Sequence, residues 1–337
     1  MSKYILRRLL WMTLVLFVVS IITFVLMRAV PGGPFSSERP LPQQILDNLN
    51  EKYNLDDPLL VQYGSYIGDI VLPRITTEQL RPSAVEDYLI NIPLPFSEYG
   101  ALRWMNFGPS YASRNRSVND IIEEHLPISM QLGLAALIVA IAIGVPLGIV
   151  AALNRNGILD YTGMGIAIIG VSIPVIITGP LLQYFFGVTL KILPVSGWGT
   201  FNHLLMPAFA LGFTNSALMA RLTRASLLQV LNEDYIRTAR AKGLSERKVL
   251  FVHAMKNAMI PVVTVIGPLF AFLITGTIVT ETIFGIPGLG RYFISSITGR
   301  DYPVIMGTIL LFAMVLVLSN LFVDLIYAWL DPRIRYN

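Results

Sequence analysis

The chain has 337 residues, of which 54% are hydrophobic and only 14% are charged. Soluble domains carry roughly a quarter charged residues, so a chain this apolar needs lipid around part of its surface. It contains no cysteine, which excludes disulfide bonds and thiolate metal sites. Its net charge of +4 is compatible with nucleic-acid binding. The placement of the basic residues, described below, indicates a membrane topology instead, and we expect no nucleic-acid partner.

The first apolar run covers residues 9–27 and follows three basic residues. It is long enough to cross a hydrocarbon core of about 30 Å at 1.5 Å per residue. A cleaved signal peptide has a shorter apolar region and a small-x-small cleavage site, and residues 28–31 offer none. The sequence therefore predicts a first segment, 1–29, made of a short N-terminus and a retained transmembrane helix.

Residues 30–126 form a long polar stretch with proline, glycine and acidic residues throughout. This stretch is too long for a simple turn, so we predict a small folded cap outside the bilayer. Residues 106–111 are typical of a turn. Residues 120–124 indicate an acidic amphipathic helix that leads to Pro127.

The rest of the chain, 127–337, contains five more apolar runs, which makes six transmembrane helices in an all-α membrane protein. The five runs are residues 128–153, 161–186, 204–220, 259–283 and 304–328. Prolines inside them are tolerated in lipid, because neighbouring helices satisfy the freed carbonyl groups. Gly144 and Gly148 favour close helix contact.

Several polar residues lie within or at the ends of these runs. Five of them fit two interpretations equally well, residues that face a polar pathway or interhelical hydrogen bonds: Gln131, Gln183, Asn215, Ser216 and Thr275. Two carboxylates, Glu281 and Asp324, lie near span ends, where we expect them to reach the interface or to form structural ion pairs.

The basic residues are unevenly distributed among the loops. If the N-terminus is cytoplasmic, the cytoplasmic pieces are 1–8, 154–160, 221–257 and 329–337, which together hold 14 basic and 5 acidic residues. The loop 30–126 holds 7 basic and 13 acidic residues. Short cytoplasmic loops are enriched in lysine and arginine, so the sequence predicts a multi-pass protein of the cell membrane with both termini in the cytoplasm.

The longest predicted cytoplasmic loop, about 221–258, has a helical pattern. Apolar residues recur at helical spacing over 226–242, and Gly243 follows where a left-handed helix cap is expected. Ser245 can cap a second helix, with Glu246 in its first turn, that runs to Pro261. On pattern alone, this segment is also typical of a basic amphipathic helix on anionic lipid.

The residues of this loop resemble a specific family. Residues 233–243, followed by His253 and Pro261, are similar to the cytoplasmic signature loop of the permeases of binding-protein-dependent ABC importers. Further pieces resemble the B-type permease of the dipeptide, oligopeptide and nickel branch. They are residues 7–9, 31–32, 55–59, 62–63, 194–197, 280–284, 287–290, 300–303 and 331–335. Residues about 66–105 lack this similarity and look like an insertion in the outer loop.

The resemblance implies a type I ABC importer permease fold with a large extracytoplasmic loop between helices 1 and 2. It implies that the chain forms half of a translocation pathway for di- or oligopeptides. Some relatives carry nickel chelates, glutathione-like compounds or oligosaccharides, so these remain alternative substrate classes. The loop would act as a coupling helix in a groove of the ATPase subunit, through Glu233, Asp234, Tyr235, Arg237, Ala239, Arg240 and Gly243.

The partners implied are a second related permease, two ATP-binding subunits, an extracytoplasmic substrate-binding protein and membrane lipid. The chain lacks the G-x-x-x-x-G-K-[ST] motif. We therefore expect no cofactor on this chain, no enzymatic activity, and ATP and Mg on the partner ATPase subunits.

Two other function classes compete with a permease. An intramembrane enzyme needs a concentrated site such as H-E-x-x-H, which the sequence lacks. An ion-coupled secondary transporter favours charges in mid-span and inverted repeats, and neither is evident.

Overall fold

The computed structural model describes residues 2–35, 42–76, 88–95, 100–113, 116–275 and 278–330. The family-like tail 331–335 lies outside these residues. The chain divides into two compact units. The first consists of Met1–Leu10, Ile128–Gly290 and Met314–Asn337, and the second of Trp11–Pro127 and Arg291–Ala313.

Helices make up most of the described chain. They are α1 (Ser2–Ala29), α2 (Gln43–Lys52), α3 (Leu59–Val71), α4 (Val118–Leu153), α5 (Ile158–Ser172), α6 (Val175–Thr189), α7 (Phe201–Leu231), α8 (Asp234–Ala241), α9 (Glu246–Ala258), α10 (Ile260–Thr275), α11 (Ile278–Phe284), α12 (Leu289–Thr298) and α13 (Tyr302–Leu330). Three short strands, β1 (Arg74–Thr76), β2 (Ile90–Pro93) and β3 (Ala101–Trp104), lie between α3 and α4.

Four of the described helices, α1, α4, α7 and α13, are long and apolar enough to cross a membrane. Two bent pairs meet the same criterion: α5 with α6, and α9 with α10. The count is therefore four, or six if each bent pair is one span. The six-helix prediction matches the second count.

The predicted span 161–186 is not one straight helix. It bends by 98° between α5 and α6. The reason is Pro174, because a proline disfavours the helical conformation of the residue before it. Ile173 is extended, and Pro174 starts the next helix with φ −62° and ψ 150°. The predicted span 259–283 is also divided, into α10 and α11, with residues 276–277 outside the described chain.

The second unit includes the residues predicted to form a cap after α1, and it contains all three strands. Its strands form an antiparallel sheet in the order β1-β3-β2, with Ile75 and Ile92 both opposite Leu102. This sheet is a departure from the all-α expectation. Residues 106–111, where a turn was predicted, form no helix or strand, and Gly108 has φ +85°. The acidic helix predicted at 120–124 is instead the start of α4, which continues through Pro127.

In the first unit, α4 and α7 pack with their backbones in contact. A Cβ atom on Gly144 would lie 2.4 Å from the carbonyl oxygen of Ser216, and one on Gly148 would lie 2.6 Å from that of Ala220. On the other helix, a Cβ atom on Gly212 would lie 2.6 Å from the carbonyl oxygen of Ala136. No side chain fits at these distances. The predicted close approach at Gly144 and Gly148 is therefore confirmed.

Candidate functional site

The segment singled out by the sequence contains a helix break that the apolar spacing did not predict. Residues 226–242 were expected to form one helix, but α7 ends at Leu231 and α8 begins at Asp234. The side-chain amide of Asn232 donates to the carbonyl oxygen of Leu228 at 2.8 Å. Glu233 is extended, with φ −71° and ψ 149°, and starts the new helix. The helical spacing continues across the break because both helices bury apolar residues in the same cluster.

That cluster lies beneath α8 and α9. Its fully buried members include Leu227 from α7, Ile236 and Ala239 from α8, and Val249 and Ala254 from α9. Ala239 is only 6% exposed. The small residue that was expected to nest in a partner's groove therefore packs against its own chain. A charge at this position would disrupt the segment itself.

The turn between α8 and α9 has the predicted glycine cap. Gly243 has φ +75°, a left-handed conformation that glycine adopts without strain. Its amide donates to the carbonyl oxygen of Arg240 at 2.9 Å, and the Leu244 amide donates to that of Ala239 at 3.4 Å. These two bonds form a Schellman motif, and Leu244 packs on the apolar cluster below. Ser245 precedes α9 as predicted, although its hydroxyl makes no capping hydrogen bond.

Two side-chain links hold α8 against α9. The guanidinium of Arg240 donates to both carboxylate oxygens of Glu246, at 2.8 and 3.2 Å across the turn. This hydrogen bonding holds the pKa of Glu246 below its ordinary value and raises that of Arg240. The side-chain amide of Asn257 donates to the hydroxyl of Tyr235 at 2.8 Å. The backbone turn and these links fix the direction of a helix only eight residues long.

The outer side of this segment is exposed. The side chain of Asp234 is 97% exposed and that of Arg237 is 71% exposed, with a long contact of 3.5 Å between them. Glu233 and Lys242 are also exposed. We call the exposed parts of residues 233–252 the α8–α9 surface.

This surface includes two apolar residues that the sequence reading missed. Phe251 is 59% exposed and Val252 is 62% exposed. They lie in a π-helical stretch, Val249–Ala254, whose wider turn changes the register of the outward-facing residues. An apolar patch beside exposed charges is typical of a surface that binds another protein.

A buried ion pair holds the end of α7 that leads into this segment. Arg224 donates through Nε and Nη2 to the two carboxylate oxygens of Asp160, each at 2.6 Å. Asp160 is 2% exposed and lies in the first turn of α5. The two residues are 64 positions apart, so no local pattern in the sequence pointed to this pair.

Among the four polar span residues whose side chains are described, the structure shows no direct hydrogen bond from one to another. Gln183 donates to the carbonyl oxygens of Val195 and Ile283, at 2.8 and 2.9 Å. Ser216 is buried in the contact between α4 and α7 and donates to the carbonyl oxygen of Phe213.

The remaining candidates differ in exposure. Asn215 donates back to the carbonyl oxygen of Leu211 at 2.8 Å and is half-buried. Gln131 is exposed on α4. The side chain of Thr275 lies outside the described residues.

Of the two carboxylates near span ends, Asp324 forms an ion pair with Arg8, as one of the expected alternatives. Glu281 does not reach an interface, because it is fully buried. The Ser129 hydroxyl donates to its Oε1 at 2.8 Å, and the Leu289 amide donates to that hydroxyl at 2.9 Å. A Cβ atom on Gly288 would lie 2.2 Å from Oε1, so the loop before α12 packs directly on the carboxyl group.

Comparison with known proteins gives two family matches. The family described as "Binding-protein-dependent transport system inner membrane component" matches residues 144–336. The family described as "Binding-prot-dependent transport system membrane comp, N-term" matches residues 1–85.

Relatives align over the full chain. The dipeptide transport system permease protein DppB of Bacillus subtilis (strain 168) is 42% identical, over 100% of this chain and 99% of the relative. The oligopeptide transport system permease protein OppB of Salmonella typhimurium is 40% identical over 100% of both chains. Since these alignments leave out no large piece, the expectation that residues about 66–105 are an insertion was wrong.

Among solved structures, inward-facing forms of the MetNI methionine ABC transporter are similar. One chain aligns with a TM-score of 0.51 at 19% identity, over 63% of this chain and 96% of the other. A second crystal form gives a TM-score of 0.52 at the same identity and coverage. At this identity the likeness concerns the fold alone.

Proposed function

Because this chain belongs to the family of binding-protein-dependent transport system inner membrane components, we propose that it forms half of the translocation pathway of a peptide importer. The chain is a membrane-embedded permease subunit of an ABC importer, with a type I permease fold. It is not an enzyme, since ATP is hydrolysed on separate subunits of such transporters. Peptides are the proposed substrates because full-length relatives at 38–42% identity are named dipeptide or oligopeptide permeases.

The observation that carries the mechanism is the way α8 is held. It is exposed on its outer side, and it is fixed to its own core by the Gly243 turn, the Arg240–Glu246 pair and the Tyr235–Asn257 bond. A short, fixed helix transmits displacement, whereas a loose loop would absorb it. We propose that the α8–α9 surface, with Glu233, Asp234, Tyr235, Arg237, Lys242 and Phe251 exposed on it, contacts the ATPase subunit.

Within this proposal, three of the residues that were expected to contact the ATPase hold α8 in position instead. Ala239 fills the cluster below α8, Arg240 clamps Glu246, and Gly243 turns the chain. The contact itself would come from the exposed residues. Phe251 and Val252 supply apolar area, and Arg237 and Lys242 supply charge for an acidic rim.

A permease of this family works with an ATPase and a substrate-binding protein. We propose the finer assembly of this chain, a second related permease, two ATP-binding subunits that hold ATP and Mg, and an extracytoplasmic receptor. The proposed topology has six spans, in which α5 with α6 forms one and α10 with α11 forms another, while α8, α9 and both termini lie in the cytoplasm. The basic bias of the predicted cytoplasmic loops supports it.

The proposed domain organisation keeps residues 1–29, 30–126 and 127–337 as the first span, the outer cap and the permease core. The cap would dock the receptor or cover the pathway mouth. Its excess of acidic over basic residues, 13 against 7, supports a contact with a partner of opposite charge. The polar candidates Gln131 and Asn215 would face the pathway, since neither is fully buried.

The test is a charge reversal on the exposed surface, Arg237→Glu, in the assembled transporter. A reversed rim charge should weaken copurification of the ATPase by about tenfold and lower uptake of a labelled tripeptide accordingly. Membrane abundance should not change, because the exposed Arg237 side chain makes a single long contact, 3.5 Å to Asp234, within the described part of the chain. The matched control is Arg155→Glu, another exposed arginine, which lies in the loop between α4 and α5.

Equal copurification and uptake in the two variants would show that α8 is not the contact. If the wild-type assembly hydrolyses ATP and imports a nickel chelate or an oligosaccharide but no peptide, the substrate proposal is wrong while the permease assignment stands.

A further inference from the structure

The second unit contains a cavity that the transport function does not explain. It has a volume of about 330 Å³ and is lined by residues of α1, the end of α2 and the segment after it (52–57), α3, residues 107–111 and the start of α13. One water occupies about 30 Å³ of liquid, so the space is roughly ten times larger than a single structural water needs. Small-molecule pockets begin at about 300 Å³.

Unpartnered oxygen atoms line this cavity. Tyr302 is 97% buried, and its hydroxyl has no hydrogen-bond partner among the described residues. The same is true of the buried Tyr66 hydroxyl and the side-chain oxygen of Gln62. Buried polar atoms in proteins are nearly always hydrogen-bonded. Three such atoms around one cavity indicate a polar group inside it.

The same cavity has a cation held on aromatic rings. The Arg28 guanidinium lies 5.0 Å from the ring centre of Phe24 and 5.5 Å from that of Tyr302. In the described chain, Arg28 forms no ion pair with a carboxylate. The Asp69 carboxylate, which also lines the cavity, is already paired with Arg74.

The hydroxyl groups around Arg28 are suited to donate hydrogen bonds. Burial raises the pKa of Tyr111 to about 12, so its hydroxyl stays protonated at neutral pH. The hydroxyls of Tyr66, Tyr111 and Tyr302 line the same cavity as the Arg28 guanidinium. This set of donors favours binding of an anionic oxygen, because hydrogen bonds to charged groups are stronger than those between neutral groups.

Part of the wall is apolar, beside the polar side chains of Lys52, Asn54, Asp57 and Ser65. Phe24, Phe107 and Met306 contribute carbon surface next to Arg28. A free inorganic anion would leave this surface against water, whereas a carboxylate with an apolar group attached would cover it.

We propose that this cavity binds a small carboxylate that carries an apolar side group, of about the size of one amino-acid residue. The carboxylate meets the Arg28 guanidinium and the Tyr302 and Tyr66 hydroxyls, and the apolar group lies against Phe24, Phe107 and Met306. This site is separate from the ATPase contact proposed above, and its occupancy does not depend on ATP.

The test uses the full chain in lipid nanodiscs, with N-acetylphenylalanine as the probe and its uncharged amide as the comparison. Calorimetry should detect saturable binding of the acid and binding of the amide at least about tenfold weaker. Arg28→Gln should weaken binding of the acid by about tenfold or more, and Tyr302→Phe should weaken it by about three- to tenfold. The matched controls Arg116→Gln and Tyr292→Phe change an arginine and a tyrosine of the same unit that do not line the cavity.

Failure of the acid to bind the wild-type chain overturns the proposal. So does equal binding of acid and amide, or equal loss in the cavity variants and their controls. If Arg28→Gln lowers the melting midpoint of the chain, Tyr302→Phe decides, because it removes one oxygen and keeps the ring beneath Arg28. Unchanged acid binding in Tyr302→Phe would then overturn the proposal.

Discussion

Replacing Gly243 by alanine isolates the contribution of one backbone conformation to the proposed coupling segment. Gly243 has φ +75°, and a Cβ atom there would meet nothing within 4 Å. The cost of the substitution is therefore conformational and not steric. A left-handed residue other than glycine costs about 1–2 kcal/mol, which corresponds to about a five- to thirtyfold increase in the open population of the turn.

The change should appear first at the turn and then in transport. Amide hydrogen exchange should speed up by about fivefold or more at residues 243 and 244, and less in α8. Uptake per ATP hydrolysed should fall, while the membrane abundance of the permease stays the same. A valine at this position should have a larger effect, since β-branched residues tolerate positive φ poorly.

The matched control is Gly64→Ala in α3. This glycine also has open space at its Cβ position, but its backbone is right-handed, so alanine should be neutral or slightly stabilising. If Gly243→Ala exchanges as slowly as the wild type, the turn does not constrain α8. If exchange accelerates and uptake per ATP is unchanged, the constraint has no part in coupling.

Two further predictions concern charged pairs. Asp160→Asn leaves Arg224 without its bidentate partner and should destabilise the first unit by about 3 kcal/mol, measured as a lower melting midpoint. The control Asp57→Asn, at an exposed aspartate, should change the stability by no more than about 0.5 kcal/mol. Equal midpoints in the two variants would contradict the stabilising role of the pair. The lowered pKa of Glu246 means that its bond to Arg240 stabilises the turn fully above the ordinary carboxyl pKa of about 4.3, and this contribution is lost as the pH falls through the lower, folded value. Hydrogen exchange at residue 244, corrected for intrinsic rates, should therefore accelerate on acidification in the wild type but not in Glu246→Gln, and parallel profiles would refute the link.

The features that the sequence predicted correctly depend on local patterns. The apolar runs, the cap at Gly243 and the close-packed Gly144 and Gly148 each follow from composition or spacing over a few residues. The helix break at Asn232 escaped because apolar spacing reports which face is buried, not whether the helix is continuous.

The features that were missed depend on contacts between distant residues. Asp160 meets Arg224 across 64 positions, and Ser129 meets Glu281 across 152. Nothing near Glu281 in the sequence shows that a serine of α4 and a glycine loop enclose its carboxyl group. Its position near the end of a span therefore suggested that it reaches the membrane interface. Ala239 was read as an outward contact for the same reason, since a small residue on an amphipathic helix has no local mark of burial.

The glycine contacts between α4 and α7 have a mechanical consequence. Helix α7 has 31 residues, which gives a length of roughly 46 Å, and it ends at Leu231, with only Asn232 and Glu233 between it and α8. At Gly212 its backbone rests on the backbone of α4 at Ala136 and on the side chain of Val139, so this point can serve as a fulcrum. From Gly212 to Leu231 the lever arm is about 28 Å, and a tilt of about 5° there would move the α8 end by about 2.5 Å. A bulky side chain at Gly212 would force α7 away from α4 and remove this fulcrum.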